Sequence, residues 1–138
     1  MKKLISVLLV ALFVSACGQE QSEMSAADGD WRHHGGNHRS EKYSPLDQVN
    51  GSNFGLLEVA WRYRSPDLEL PEELAYPTGD YRAMPLVING VMYVNSNHGL
   101  ISALDPVTGE EHWVFDPKSY EYGPPLFFPL QTRGIEYW

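Results

Sequence analysis

The stretch from Pro85 to Phe115 constrains the fold most, because it holds only short apolar runs separated by tight turns. Pro85-Leu86-Val87-Ile88 is a strand-forming run, and Asn89-Gly90 is the dipeptide that best satisfies the positive φ values of a two-residue hairpin turn. Val91-Met92-Tyr93-Val94 returns as its partner. Asn95 to Gly99 turns again, Leu100 to Leu104 makes a third strand, and Asp105 to Gly109 turns once more. Glu110 to Phe115 is a fourth strand, with Trp113 and Phe115 on one face. Four successive strands at this spacing predict an all-β, up-and-down meander of the kind that forms one propeller blade. One blade cannot bury both its faces, and repeat units of this kind need several copies. The chain, ending in the strand-like Arg133-Gly134-Ile135-Glu136-Tyr137-Trp138, is therefore expected to be the N-terminal part of a longer protein.

The remainder fits around that sheet. Residues 31–138 form the body, with no convincing amphipathic helix. Asp47 to Leu57 has room for a short helical turn at most. Glu58-Val59-Ala60-Trp61-Arg62-Tyr63 alternates polar and apolar residues, which predicts a half-buried strand. Ser65 to Asp80 contains three prolines and several acids and reads as a loop with solvated carboxylates. The 138 residues carry 10 Lys and Arg against 18 Asp and Glu, a net charge of -8. That balance argues against nucleic acid and against a polybasic membrane surface as partners, since both need a cationic face. The single Cys excludes an intrachain disulfide framework and a multi-cysteine zinc site.

That Cys belongs to the N-terminus. Met1-Lys2-Lys3 is followed by mostly apolar residues from Leu4 to Ala16, shorter than the roughly 20 residues that span a bilayer as a helix. A signal h-region fits. Val14-Ser15-Ala16 before Cys17 resembles the bacterial lipoprotein signal, which predicts removal of residues 1–16 and lipidation of Cys17. Acyl chains there would anchor the protein at about 0.8 kcal/mol per buried CH2. Gly18 rather than Asp after the Cys leans towards the outer membrane, on the periplasmic side. Residues 17–30 are polar and read as a flexible tether.

One motif narrows the family. Ala103, Asp105, Thr108, Gly109 and Trp113 fill every fixed position of A-x-D-x-x-T-G-x-x-x-W. Asp105 can accept backbone N–H bonds in the turn, Thr108 can close it, and Gly109 supplies positive φ. Trp113 then has a fixed place from which to pack on a neighbouring blade. The segment resembles the tryptophan-docking motif of quinoprotein propellers. Trp31, Gly35-Gly36-Asn37, Tyr43 to Asn50 and Ala60-Trp61-Arg62-Tyr63 resemble the entry segment of dehydrogenases that use pyrroloquinoline quinone (PQQ). Arg133 to Trp138 is similar to the segment that opens their next blade.

The resemblance implies an eight-bladed quinoprotein β-propeller with PQQ on its axis and Ca2+ beside it. It implies oxidation of a sugar or alcohol, with electrons passed to a quinone or cytochrome. Arg133 matches the family's Arg that points at the PQQ carboxylates, a task suited to bidentate, charge-assisted bonds. Arg82 stands where many relatives carry a Glu near the cofactor, and Thr132 where close relatives have His or Asn. Residues 126–132 lack the vicinal Cys pair of alcohol-oxidising members, which favours the glucose-dehydrogenase side. The catalytic Asp and the Ca2+ ligands are expected in later blades, so this chain alone is expected to show no turnover. A non-enzymatic alternative is the propeller lipoprotein of outer-membrane barrel assembly; Tyr43–Asn50 and Arg133–Trp138 separate the two. His33, His34 and His38 are expected in a Gly-rich turn rather than a metal site, His98 in a turn and His112 on a strand surface. Tyr120, Tyr122, Phe127 and Phe128 are expected in core or inter-blade packing.

Overall fold

A computed structural model describes residues 29–124 and 130–138. The expectations for the signal, Cys17 and the tether up to Asp28, and for Phe127 and Phe128, lie outside the described residues. Four strands form one antiparallel sheet in sequence order: β1 (Leu86–Ile88), β2 (Val91–Asn95), β3 (Ile101–Leu104) and β4 (Glu111–Phe115). The hairpin joining β1 to β2 has Asn89 at φ 51° and Gly90 at φ 77°, the geometry that the Asn-Gly pair favours. Three short 3-10 turns, Phe54–Leu56, Pro66–Glu69 and Ser119–Tyr122, complete the regular structure among the described residues. None of their helices is long and apolar enough to cross a membrane.

Cross-strand register sorts side chains onto two faces. Leu86, Tyr93, Ala103 and Trp113 form one row, and Ile101 and Phe115 extend the same face. Val87, Met92, Leu104 and Glu111 form a row on the other. The small core comprises Leu86, Ile88, Leu100, Ala103, Leu104 and Tyr120. Burial of each Leu or Ile side chain contributes up to about 1.5–3 kcal/mol. The register slips between Ala103 and Leu104, which oppose Trp113 and Glu111, so His112 is the extra residue of a β-bulge.

Glu58–Tyr63 does not join the sheet, which corrects the expectation of a strand. Its alternation is nevertheless expressed: Trp61 and Tyr63 are half-buried while Arg62 and Arg64 face solvent. The segment lies as an extended strap against the sheet through side chains instead of a backbone ladder. Tyr63 Oη reaches Ser102 Oγ at 2.8 Å and also the Glu111 carboxylate. Burial raises the Tyr63 phenol above its ordinary range, and the bond to Glu111 adds to this.

A second correction concerns one acid after the strap; Glu69, Glu72, Glu73 and Asp80 are exposed, as expected. Asp67 is not solvated: its Oδ2 lies 3.0 Å from Nδ1 of His98, a histidine only 4% exposed. His98 does sit in the β2–β3 turn, but as a buried anchor. The exposed His112 behaves as expected.

The ends of the sheet are fastened separately. Trp31 pairs with Val87 through both backbone groups, at 2.7 and 3.0 Å. Buried Asp30 accepts from the Asn89 N–H at 2.9 Å and pairs with Arg32 at 2.7 Å. Beyond β4, Ser119 Oγ donates to the His98 carbonyl at 2.8 Å, and Tyr120 Oη donates to Asp116 at 2.6 Å. Tyr120 is thus core, as expected, whereas Tyr122 is 93% exposed and lies outside the core of this sheet.

The bond to Asp116, with smaller help from burial, pushes the Tyr120 phenol up to about 12. A raised phenol contributes stability that is complete below the unfolded value of 10.0 and is lost as pH rises through the folded value. Tyr120→Phe should therefore melt lower than wild type at pH 8. The gap should narrow between pH 10 and pH 12, which thermal melts across that range would show.

Candidate functional site

Two features stand out: a turn that receives an indole, and a cationic cavity. In the turn, Asp105 Oδ1 accepts the backbone N–H groups of Val107 at 2.7 Å and Thr108 at 2.9 Å. The Thr108 N–H, followed by that of Val107, holds the Asp105 carboxyl below the usual carboxylate range. Thr108 Oγ1 accepts from the Glu110 N–H at 3.2 Å, closing the turn from the other side. Gly109 sits at φ 74°. These contacts are the ones the motif's residue types call for.

The indole on this turn is Trp61. A Cβ on Gly109 would lie 2.6 Å from Trp61 Cδ2, so the ring presses flat on the glycine backbone. Trp61 Nε1 donates to the Pro106 carbonyl at 3.1 Å, which satisfies its one polar atom. The sequence reading missed this role. The signal was present as a repeat: Glu58-x-x-Trp61-x-Tyr63 matches Glu110-x-x-Trp113-x-Phe115. Trp113 itself lies opposite the fully buried Ala103, with its ring 5.9 Å from that of Tyr93, and is 47% exposed.

The cavity, about 590 Å3, is lined by His34, Arg82, Arg133, Gly134, Ile135 and Glu136. Arg82 and Arg133 therefore come together, although 51 positions of sequence separate them from one another. Arg82 is exposed and shares its charge with Asp80 at 3.1 Å. Among the described residues Arg133 has no ion-pair partner. Three local contacts place the 133–138 segment beside the Gly-rich turn. His33 Nδ1 is 3.7 Å from Glu136 Oε2, and the Arg32 guanidinium lies 5.5 Å over the Tyr137 ring. His34 Nδ1 is 4.0 Å from where a Cβ on Gly134 would stand. Gly35 makes the turn possible, since a Cβ there would meet the Ser40 backbone at 2.4 Å. The His33 and His38 rings meet at a tilt of 39° with centroids 4.0 Å apart. Among the described residues no three His, Cys, Asp or Glu side chains gather as a metal site.

Two guanidinium groups and an imidazole around one cavity suit an organic anion carrying several carboxylates. Glu136, on the same lining, opposes such a ligand.

A four-stranded blade sheet with a strap docked on it by a tryptophan is the architecture of one blade of a quinoprotein-type β-propeller domain. The chain belongs to the PQQ family described as glucose/ethanol/alcohol dehydrogenase, beta-propeller domain, whose profile matches residues 31–138. It is 38% identical over 97 residues to the dehydrogenase subunit of the quinone alcohol dehydrogenase of Gluconobacter oxydans, covering 70% of this chain and 12% of that one. Quinoprotein glucose dehydrogenase A of Acinetobacter calcoaceticus is 34% identical over 118 residues, covering 86% and 14%. The crystal structure of quinohemoprotein alcohol dehydrogenase from Comamonas testosteroni superposes with a TM-score of 0.54 at 33% identity, over 68% of this chain and 12% of that one. The chain thus spans about an eighth of the length of these relatives. The family match runs through Tyr43–Asn50 and Arg133–Trp138.

Gly109→Ala should destabilise the domain by roughly 1–3 kcal/mol in urea unfolding, because it combines an unfavourable φ with a collision against Trp61. Glu136→Gln should tighten binding of a polycarboxylate by about two- to fivefold in a fluorescence titration, with the gain shrinking at high salt.

Proposed function

We propose that this chain supplies the N-terminal part of a PQQ-dependent dehydrogenase that oxidises the CH–OH group of a sugar or alcohol. The observation that carries this reading is the meeting of Arg82 and Arg133 in one cavity, within a chain that belongs to the PQQ family. Arg133 grips a carboxylate of the cofactor through its fork of N–H donors, and Arg82 adds a second positive group from the opposite segment. His34 closes the same wall. When bound, PQQ supplies the two-electron acceptor for substrate oxidation. This chain's own residues bind and orient it; the catalytic Asp and the Ca2+ ligands are proposed to lie in other blades, so that the chain by itself gives no turnover.

Electrons then pass to a quinone or a cytochrome. Relatives of both kinds are found: besides the quinone alcohol dehydrogenase, the 1-butanol dehydrogenase (cytochrome c) of Thauera butanivorans is 34% identical over 126 residues, covering 91% of this chain and 17% of that one. The proposal extends to location. Cys17 carries the lipid, and the body works on the periplasmic side of a bacterial membrane, with the outer membrane favoured over the inner. The missing Cys pair at residues 126–132 favours a sugar over a primary alcohol as substrate.

Titration with PQQ, followed by quenching of tryptophan fluorescence, tests the central claim. Saturable binding is expected, and Arg133→Ala should weaken it by about tenfold or more, the worth of a charge-assisted bond. Absence of saturable binding by the wild-type protein would refute the assignment.

A further inference from the structure

Arg133 reaches the cavity from a segment with little regular structure, so something must fix it. The residue before it, Thr132, is tied to the sheet. Its Oγ1 donates to the Ser96 carbonyl at 2.9 Å and accepts from Nδ2 of Asn95. Asn95 is the last residue of β2 and only 3% exposed, so this anchor is as rigid as the sheet itself. The neighbouring residues are tied as well. Gln131 Nε2 donates to the Asp80 carbonyl at 3.1 Å, and Leu130 exchanges backbone bonds with Pro77 at 3.0 Å and Gly79 at 2.9 Å.

The same turn also holds the approach to Arg82. Nδ2 of Asn97 donates to the Gly79 carbonyl at 3.1 Å, three residues ahead of Arg82. Both arginines of the cavity thus hang from one polar cluster at the end of β2, Arg133 through Thr132 and Arg82 through Gly79.

We infer that Thr132 is a positioning residue: its hydroxyl, clamped between Asn95 and the Ser96 carbonyl, fixes the backbone from which Arg133 meets the ligand. This rests on the polycarboxylate reading of the cavity. A long side chain held at its root loses less freedom on binding, so the clamp appears as affinity. It also explains a residue that the family resemblance left without a role, since Thr stands here in place of His or Asn. The hydroxyl does what those residues' polar groups are suited to do: it gives and takes a hydrogen bond at once.

The test compares Thr132→Val, which keeps shape and removes the hydroxyl, with Thr132→Ser, which keeps the hydroxyl. PQQ affinity should fall about three- to tenfold in the Val variant, the ordering cost of one long side chain, and stay within about twofold in the Ser variant. NMR order parameters of the Arg133 Nε–H, measured without ligand in the folded protein, should drop for Val and hold for Ser. The inference is overturned if Val matches wild type in affinity and order, or if Ser loses as much as Val. Should wild-type protein fail to bind PQQ at all, the functional reading falls, and the order parameters alone then decide whether the clamp exists.

Discussion

The seating of Trp61 on the turn between β3 and β4 is the contact on which the rest of the structure depends. It is a packing contact and a polar one together. The ring covers Gly109, where a side chain would not fit, while its N–H closes on the Pro106 carbonyl. Once the indole is fixed, the strap that carries it lies along the sheet. Tyr63 then meets Ser102 and Glu111, and Asp67 arrives beside His98. A four-stranded sheet of seventeen strand residues has little core of its own, and these latches across more than 30 positions of sequence make up for it.

The cavity follows from a different logic. The chain as a whole is acidic, yet Arg82, Arg133 and His34 gather at one place. Net charge describes the solvated surface and says little about a site built from three residues. Much of what gathers them is neutral hydrogen bonding. Backbone and carboxamide groups at the end of β2 set the positions of both cationic segments, and the Gly35 turn brings the imidazole. Charged contacts add to that framework: Asp80 pairs with Arg82, and the Arg32 guanidinium lies over the Tyr137 ring.

The sheet was legible in the sequence almost to the residue, because period-two patterning and an Asn-Gly turn are local signals. The observed strands differ from the expected ones by one residue at an end. The motif turn was equally readable, since Asp105, Thr108 and Gly109 act within five consecutive positions. The strap was half legible. Alternation correctly showed Trp61 and Tyr63 as covered, though Val59 on the same period is 65% exposed; alternation reports burial and not a backbone partner, and none exists in the sheet. Tertiary pairs were not legible at all. Asp67 looked like one acid among several in a Pro-rich loop, and His98 like an ordinary turn residue; only the fold shows that they meet. Arg82 and Arg133 were singled out through family resemblance, whereas His34, Asn95 and the hydroxyl of Thr132 needed coordinates.

The bulge at His112 carries a consequence for the two residues that flank it. Glu111 and Trp113 are two positions apart and in an unbroken strand would share a side. The inserted residue sends them to opposite sides, so the carboxylate meets Tyr63 while the indole stands beside Tyr93. Shortening β4 by that single histidine would leave the strand unable to serve both surfaces. Either the strap would forfeit its acidic anchor or the aromatic pair would be dissolved. A residue with no contact of its own to recommend it thus makes the sheet two-sided.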